Sequence, residues 1–249
     1  MDPAAEKYYS WSGYNYVMDS PVRLVDPDGR GVTTDFVNTC TGEHIYINDG
    51  VDQIVFVEEE ADWGFIERMS IAETWNAEQT YRYDEIISKG ALDMNSDLGM
   101  LTRIAFAEFT REDVEAKKIA AESVLNRVEY KGIYAKYSPD LNASSVEEAI
   151  TAPGAYSSVN TQRYIDPYGY LNSLGAEFRD NIGRRQLAEA AYAAYFVLNF
   201  PNSRTGVHYF LSPPRAVDYL RTYPAYKHGN MEILNLNIEG ISAAGKLTK

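Results

Sequence analysis

The spacing of hydrophobic residues divides the chain into an N-terminal part with short strand-like runs and a longer part with helical periodicity. From Ser96 onward, apolar residues recur three and four positions apart, as in helices that pack on a core. The spacing predicts helices over residues 96–109, 110–128, 145–151 and 181–199. The intervening residues 153–175 are rich in glycine, tyrosine and asparagine and predict a loop.

Capping residues support two of these helices. Ser96 or Asp97 can cap the first, and Thr110 with Asp113 forms a capping box for the second. The second helix also carries an apolar stripe at positions i, i+3, i+4 and i+7, which predicts a buried face. The stripe consists of Ala121, Val124, Leu125 and Val128.

The N-terminal part predicts a small amount of β-structure. Two strand-like runs, residues 44–47 and 51–57, flank Asn48-Asp49-Gly50, a sequence typical of hairpin turns. Residues 63–75 could be helical, and residues 81–87 could form helix or strand. We therefore expect an α+β protein, in which a small β-rich N-terminal segment precedes a mainly helical domain.

The distribution of charge predicts a similar division. The chain holds 23 Lys and Arg against 36 Asp and Glu, a net charge of −13. Residues 1–96 hold 6 basic and 19 acidic residues, whereas residues 97–249 hold 17 of each sign. An acidic surface repels phosphate backbones, which argues against binding to nucleic acid. The predicted organisation is a tip with a hairpin (1–60), a linker of uncertain structure (61–96) and a helical domain (97–249).

Three absences bear on compartment and chemistry. Cys40 is the single cysteine, so no disulfide can form within the chain. The N-terminus lacks a signal-peptide pattern, and no apolar run approaches the roughly 18 residues of a membrane span. His44, His208 and His228 show no metal-ligand spacing. We expect no metal, no cofactor and no membrane span, and synthesis in the cytoplasm without a signal peptide.

Glu108 is an anomaly on the first predicted helix. Leu101, Ile104 and Ala105 define an apolar face, and the next position on that face is Glu108. Partial burial and the C-terminal end of the helix dipole both disfavour the charged carboxylate, so we expect a raised pKa suited to a general acid. The alternative is a glutamate that is paired with an arginine or turned into water.

At these positions the chain resembles the SleB-type cell-wall hydrolases. Ala107-Glu108, Glu112 and Glu115, followed by Leu125-Asn126-Arg127-Val128, resemble the family signature A-E-A-R-G-E with its later L-N-R-V. Residues 153–159 (PGAYSSV) are similar to the family segment P-G-Q-F-S-x-V. Residues 206–210 (GVHYF) are similar to a later G-A-x-Y-F stretch. The resemblance covers about residues 98–230.

The resemblance implies a lysozyme-like domain that cleaves the MurNAc–GlcNAc β-1,4 bond of peptidoglycan, with Glu108 as the catalytic acid. A lytic transglycosylase needs one carboxylate. It protonates the glycosidic oxygen and then deprotonates the muramyl 6-hydroxyl, which closes an anhydro ring. A hydrolytic muramidase needs a second carboxylate. Glu112 is the only candidate for the second carboxylate that matches the family. A glutamate near a helix N-terminus, however, often has the different role of interacting with the helix dipole. A module that binds glycan without cleaving it is the alternative outside enzymes.

Four further residues are candidates for substrate binding. Tyr156 and Tyr209 could stack on sugar rings, and Ser157 could hydrogen-bond a sugar or acetamido group. His208 could donate from the wall of the site. Core packing or turn formation is the competing interpretation for the first three, and a satisfied, half-buried histidine for His208.

The N-terminus carries a second resemblance. Residues 2–12 (DPAAEKYYSWS), then Tyr14-Asn15-Tyr16 and Asp26-Pro27-Asp28-Gly29, resemble the end of an RHS repeat-associated core. In that family a variable toxin domain follows the core, so the resemblance implies a toxin-type effector. It implies delivery to a rival's periplasm by a contact-dependent or type VI apparatus, and a cognate immunity protein as partner. A nuclease would also suit such a tip, but this sequence lacks a basic patch and a His-rich metal set.

Overall fold

The computed structural model describes residues 33–108, 113–129, 143–153, 155–174 and 182–201, and the backbone of three later strands. It divides into two compact units. The first contains residues 33–92 and the described part of 172–188, and the second contains the described residues of 93–171 and 189–249. The RHS-like residues 2–31 lie outside the described part. No helix among the described residues is long and apolar enough to cross a membrane.

A three-stranded sheet forms the centre of the first unit. The strands are β1 (Thr33–Asn38), β2 (His44–Asn48) and β3 (Gln53–Val57), in the order β2-β1-β3. All six residues of β1 are buried, as expected for the central strand. β1 pairs antiparallel with β2 and parallel with β3. A sheet together with many helices confirms the α+β class.

The predicted hairpin between β2 and β3 is wrong. Asn48-Asp49-Gly50 does form a turn, with Gly50 at φ 83°, but the strands on either side of it both pair with β1. The hairpin instead joins β1 to β2. Its turn is held by Asn38, whose side-chain oxygen accepts from the N–H groups of Cys40 and Thr41, and Gly42 supplies the φ of 77°.

Two helices cover one face of this sheet, in the segment predicted as a linker. They are α1 (Glu60–Ser70) and α2 (Ala77–Gly90). A capping box between Asn76 and Gln79 starts α2. The shared core is apolar and combines aliphatic with aromatic side chains, and it includes Phe36, Val55, Trp63, Ile66, Met69 and Tyr83. The described residues in the acidic first part of the chain thus form a sheet packed against two helices.

A buried ion cluster ties residues 172–188 into the first unit. Arg184 donates from Nη1 to Asp35 Oδ2 (3.2 Å) and from Nη2 to Asp52 Oδ1 (3.0 Å). Asn172 donates to the other oxygen of Asp52 at 2.7 Å. Burial raises the pKa of Asp35 to about 7, against the lowering effect of the Arg184 charge. Arg184 is shared between two carboxylates, and Asp35 Oδ1 has no hydrogen-bond partner among the described residues.

The second unit is mainly helical, and the predicted helices are present. They are α3 (Asp97–Glu108), α4 (Val114–Glu129), α5 (Val146–Thr151), α6 (Gln162–Ile165), α7 (Pro167–Asn172) and α8 (Arg184–Asn199). The last residue of α7, Asn172, and the first residues of α8, 184–188, belong to the first unit. Asp113 caps α4 by accepting from the N–H of Ala116. The predicted partner in that capping box, Thr110, lies outside the described residues.

The core of the second unit forms where α3, α4, α5 and α8 contribute apolar side chains. The predicted stripe of α4 is confirmed, since Ala121, Val124 and Leu125 are buried and Val128 packs against the same cluster. The predicted loop 153–175 is partly wrong, because it contains a 3-10 turn at Ser157–Asn160 and the short helices α6 and α7. Three strands follow, β4 (Tyr209–Leu211), β5 (Ala225–His228) and β6 (Met231–Leu234), in the order β4-β6-β5.

Candidate functional site

Glu108 is the last residue of α3, as the helical spacing predicts. The face that leads to it is apolar and inaccessible, since Leu101, Ile104 and Ala105 are all fully buried. Glu108 itself is half-buried. A carboxylate therefore stands at the rim of the core of the second unit.

One serine holds this carboxylate. The hydroxyl of Ser158 donates to Glu108 Oε1 at 2.6 Å, and the backbone N–H of Ser158 donates to the same oxygen at 3.3 Å. Among the described residues, Oε2 of Glu108 accepts no hydrogen bond. The two carboxylate oxygens are therefore unequal, because Oε1 accepts two hydrogen bonds from Ser158 and Oε2 accepts none from the described residues.

The 3-10 turn Ser157–Asn160 fixes the position of Ser158. The carbonyl oxygen of Ser158 accepts from both the N–H (2.9 Å) and the hydroxyl (2.7 Å) of Thr161. Ser158 is buried, whereas its neighbour Ser157 is exposed. The carbonyl of Ser158 is held by Thr161, and its N–H and hydroxyl are held by Glu108. Ser158 therefore has little freedom to move.

Tyr156 lies beneath this turn and is not an open wall for a sugar ring. Its side chain is only 6% exposed. Its hydroxyl lies 2.6 Å from Ser123 Oγ of α4, and the guanidinium of Arg127 covers the ring at 4.5 Å from its centroid. The expectation that Tyr156 stacks on a sugar is corrected in this conformation, because both the ring and the hydroxyl are occupied by the protein.

The other predicted binding residues are less well defined. Ser157 is exposed at the start of the turn, directly after Tyr156, where a ligand could reach it. Tyr209 begins β4, of which the structure describes the backbone. Glu112 and His208 lie outside the described residues. Of the predicted set, the structure therefore brings Glu108, Tyr156 and Ser157 to one region of the second unit.

The sequence does not predict the role of Ser158 or the polar character of α4. Ser158 occupies the unspecified position of the resembled segment P-G-Q-F-S-x-V, so the resemblance points to Ser157 and leaves Ser158 out. Lys117 of α4 is fully buried and donates to Glu189 of α8 at 2.7 Å. Polar side chains on the same helix are also buried, namely Glu122, Ser123, Asn126 and Arg127. The sequence predicts an apolar stripe on α4, and the structure shows that this helix also buries polar side chains.

The arrangement suits proton transfer by one carboxylate. Glu108 has one oxygen fixed by two donors and one that meets no described donor, so it can give or take a proton at a defined atom. In the described part of the chain, no group of three or more His, Cys, Asp or Glu side chains is placed to hold a metal ion. Comparisons of the chain with protein-family models, with curated proteins and with solved structures find no match.

Proposed function

We propose that the second unit is a lysozyme-like catalytic domain that cleaves the MurNAc–GlcNAc β-1,4 bond of peptidoglycan, with Glu108 as its acid. The observation that carries the proposal is the asymmetric hold on Glu108, whose Oε1 accepts both donors of Ser158. The resemblance of residues 107–128 and 153–159 to cell-wall hydrolases supplies the substrate class.

The hydrogen bonds decide which oxygen carries the reactive proton. An oxygen that already accepts an O–H and an N–H is a poor place for a further proton, so the acid proton of Glu108 belongs on Oε2. Oε2 then protonates the glycosidic oxygen as the bond breaks. The donors on Oε1 stay in place and stabilise the carboxylate that forms.

A single carboxylate is sufficient for the transglycosylase reaction. Once Glu108 has given up its proton, Oε2 takes the proton of the muramyl 6-hydroxyl, whose oxygen attacks the anomeric carbon. A 1,6-anhydro ring forms, and Glu108 returns to its protonated state without the addition of water. Both hydrogen bonds to Glu108 from the described residues come from a serine, so no described carboxylate shares its proton.

The biological setting of the proposal is an antibacterial toxin effector. It is supported by the resemblance of residues 2–31 to the end of an RHS core. Delivery to the periplasm of a target bacterium, and a cognate immunity protein in the producer, belong to the same proposal. The second part of the chain is balanced in charge, which suits work on an anionic wall, because a strongly acidic domain would be repelled from it.

The test is the release of soluble fragments from purified peptidoglycan by wild type and by Glu108→Gln. Removing a general acid lowers the rate by about 10²- to 10⁴-fold. Glu147→Gln, at an exposed glutamate at the start of α5, is the matched control and should leave the rate unchanged. The circular dichroism spectra of all three proteins should agree.

Three outcomes contradict the proposal or part of it. Full activity of Glu108→Gln would exclude Glu108 as the acid. Products with a reducing end, heavier by one water, would replace the transglycosylase with a hydrolytic muramidase. Binding of the wild type to glycan strands with no soluble product would replace the enzyme with a glycan-binding module.

A further inference from the structure

Tyr156 makes polar contacts in addition to its packing in the core. Its ring lies in the core of the second unit, with Arg127 over one face. Arg127 is itself only 2% exposed, so this contact lies away from solvent. A cation over an aromatic face is attracted more strongly where both groups are desolvated, so the ring has a strongly preferred position.

The direction of the Tyr156 hydrogen bond follows from the partners of Ser123. The Ser123 hydroxyl has one hydrogen, and it donates that hydrogen to the carbonyl of Ala120 at 2.8 Å. The contact of 2.6 Å between Ser123 Oγ and the Tyr156 hydroxyl therefore has the tyrosine as donor. Ser123 thus acts as a buried acceptor for Tyr156.

Tyr156 stands directly before the turn that holds Glu108. Its backbone is extended, at φ −136° and ψ 130°, and the 3-10 turn starts at the next residue. Ser158 is only two residues from Tyr156, so a shift of the tyrosine ring would move the two donors on Glu108 Oε1. The link therefore runs from Ser123 of α4 to Tyr156 by a hydrogen bond, along the backbone to Ser158, and from Ser158 to Glu108 by two hydrogen bonds.

We propose that Tyr156 is a positioning residue for Glu108: it is anchored on α4 by Ser123 and Arg127, and it sets the turn from which Ser158 holds the carboxylate. The inference rests on the proposed function for its activity readout.

Ser123→Ala tests the inference, because Ser123 has no described contact with Glu108. Alanine is a good helix former, so α4 itself is not weakened. The Tyr156 hydroxyl, however, loses the bond of 2.6 Å that holds its ring on α4. A displacement of about 1 Å at a reacting group can lower a rate as much as 10²-fold. We expect kcat on soluble MurNAc–GlcNAc fragments to fall about tenfold, with KM unchanged.

Tyr156→Phe and the double variant Ser123→Ala/Tyr156→Phe distinguish positioning from general damage. Tyr156→Phe removes the other partner of the same hydrogen bond, so it should lower kcat by a similar factor, and the double variant should be about tenfold slow, not about a hundredfold. Tyr164→Phe is the matched control. It removes a hydroxyl from another tyrosine of the same core, whose ring lies under Arg103, and should leave kcat unchanged.

The outcomes separate this inference from the proposed function. An active wild type, an inactive Glu108→Gln and a Ser123→Ala variant as fast as wild type would overturn the positioning role alone. A double variant about a hundredfold slow, as two independent defects would give, would also overturn it, as would a KM that rises in place of the fall in kcat. A wild type that releases no product would overturn both proposals.

Discussion

The buried carboxylate of Asp35 gives the protein a pH-dependent stability that can be isolated by one substitution. Asp35 lies on the central strand of the first unit, and its ionic partner Arg184 is shared with Asp52. Asp35→Asn removes the titrating group while leaving an oxygen that can still accept from Arg184. The difference in unfolding free energy between wild type and Asp35→Asn therefore reports this group alone.

The sign and size of the effect follow from the pKa. Burial raises the pKa of Asp35 from its ordinary 3.8 to about 7, so the folded protein binds this proton more tightly than the unfolded chain. The stability of wild type relative to Asp35→Asn should fall as pH rises from about 4 to about 7, and then stay level. At about 1.4 kcal/mol per pH unit, the total fall is about 4 kcal/mol.

Urea unfolding between pH 4.5 and pH 8 measures this difference. Tryptophan fluorescence is a suitable signal, because Trp63 lies in the core of the first unit. Arg184→Gln is a useful second variant. It removes the charge that opposes the effect of burial, so the pKa of Asp35 rises further and the fall in stability extends above pH 7.

Two results would refute this reasoning. Parallel stability curves for wild type and Asp35→Asn would show that the pKa of Asp35 is the same in the folded and unfolded chains. A difference that increases with pH would show that Arg184 stabilises the ionised carboxylate by more than burial destabilises it.

Three further substitutions test one ion pair and the space around two glycines. Glu189→Gln should lower the free energy of unfolding by about 3 kcal/mol, because it removes the carboxylate 2.7 Å from the fully buried ammonium of Lys117; an unchanged urea midpoint would contradict this. Gly90→Ala should destabilise the protein by about 1–3 kcal/mol, because its Cβ would clash with the carbonyl oxygen of Phe56. Gly64→Ala, whose Cβ meets nothing nearer than 3.7 Å, should stabilise α1 by up to about 1 kcal/mol, and equal thermal shifts of the two variants would contradict the packing.

The elements that the sequence predicts well are those whose signals are local. α3, α4, α5 and α8 each show helical periodicity or a capping residue, and their observed bounds differ from the predicted ones by a few residues. α6 and α7 span only four and six residues, too few to show a helical period. The sequence therefore predicts them as part of a loop.

Strand pairing depends on a partner that the sequence does not reveal. β1 reads TTDFVN, which includes a buried charge and no clear alternation, so it was not predicted as a strand. Without β1, the turn at residues 48–50 favours a hairpin between its own neighbours. Asp35 becomes acceptable in a central strand only through Arg184, which lies 149 positions away in the chain.

In the candidate site, too, local patterns predict the position of a residue but not its long-range contacts. The spacing along α3 is enough to single out Glu108, because a helix puts residue 108 on the face of residues 101 and 104. Its contact with Ser158 joins positions 50 residues apart, and no local pattern predicts it. In a 3-10 turn, successive side chains point about 120° apart. Ser157 and Ser158 therefore face different surroundings, although both are serines and are adjacent in the chain.

The central claim is that Glu108 carries the reaction as a single carboxylate, and the mass of the released muramyl end tests it most directly. Peptidoglycan treated with the wild type should yield muropeptides that end in 1,6-anhydro-MurNAc, identified by mass spectrometry. Glu108→Gln should yield none above background. Anhydro products from Glu108→Gln at the wild-type rate, or reducing ends from the wild type, would contradict the account.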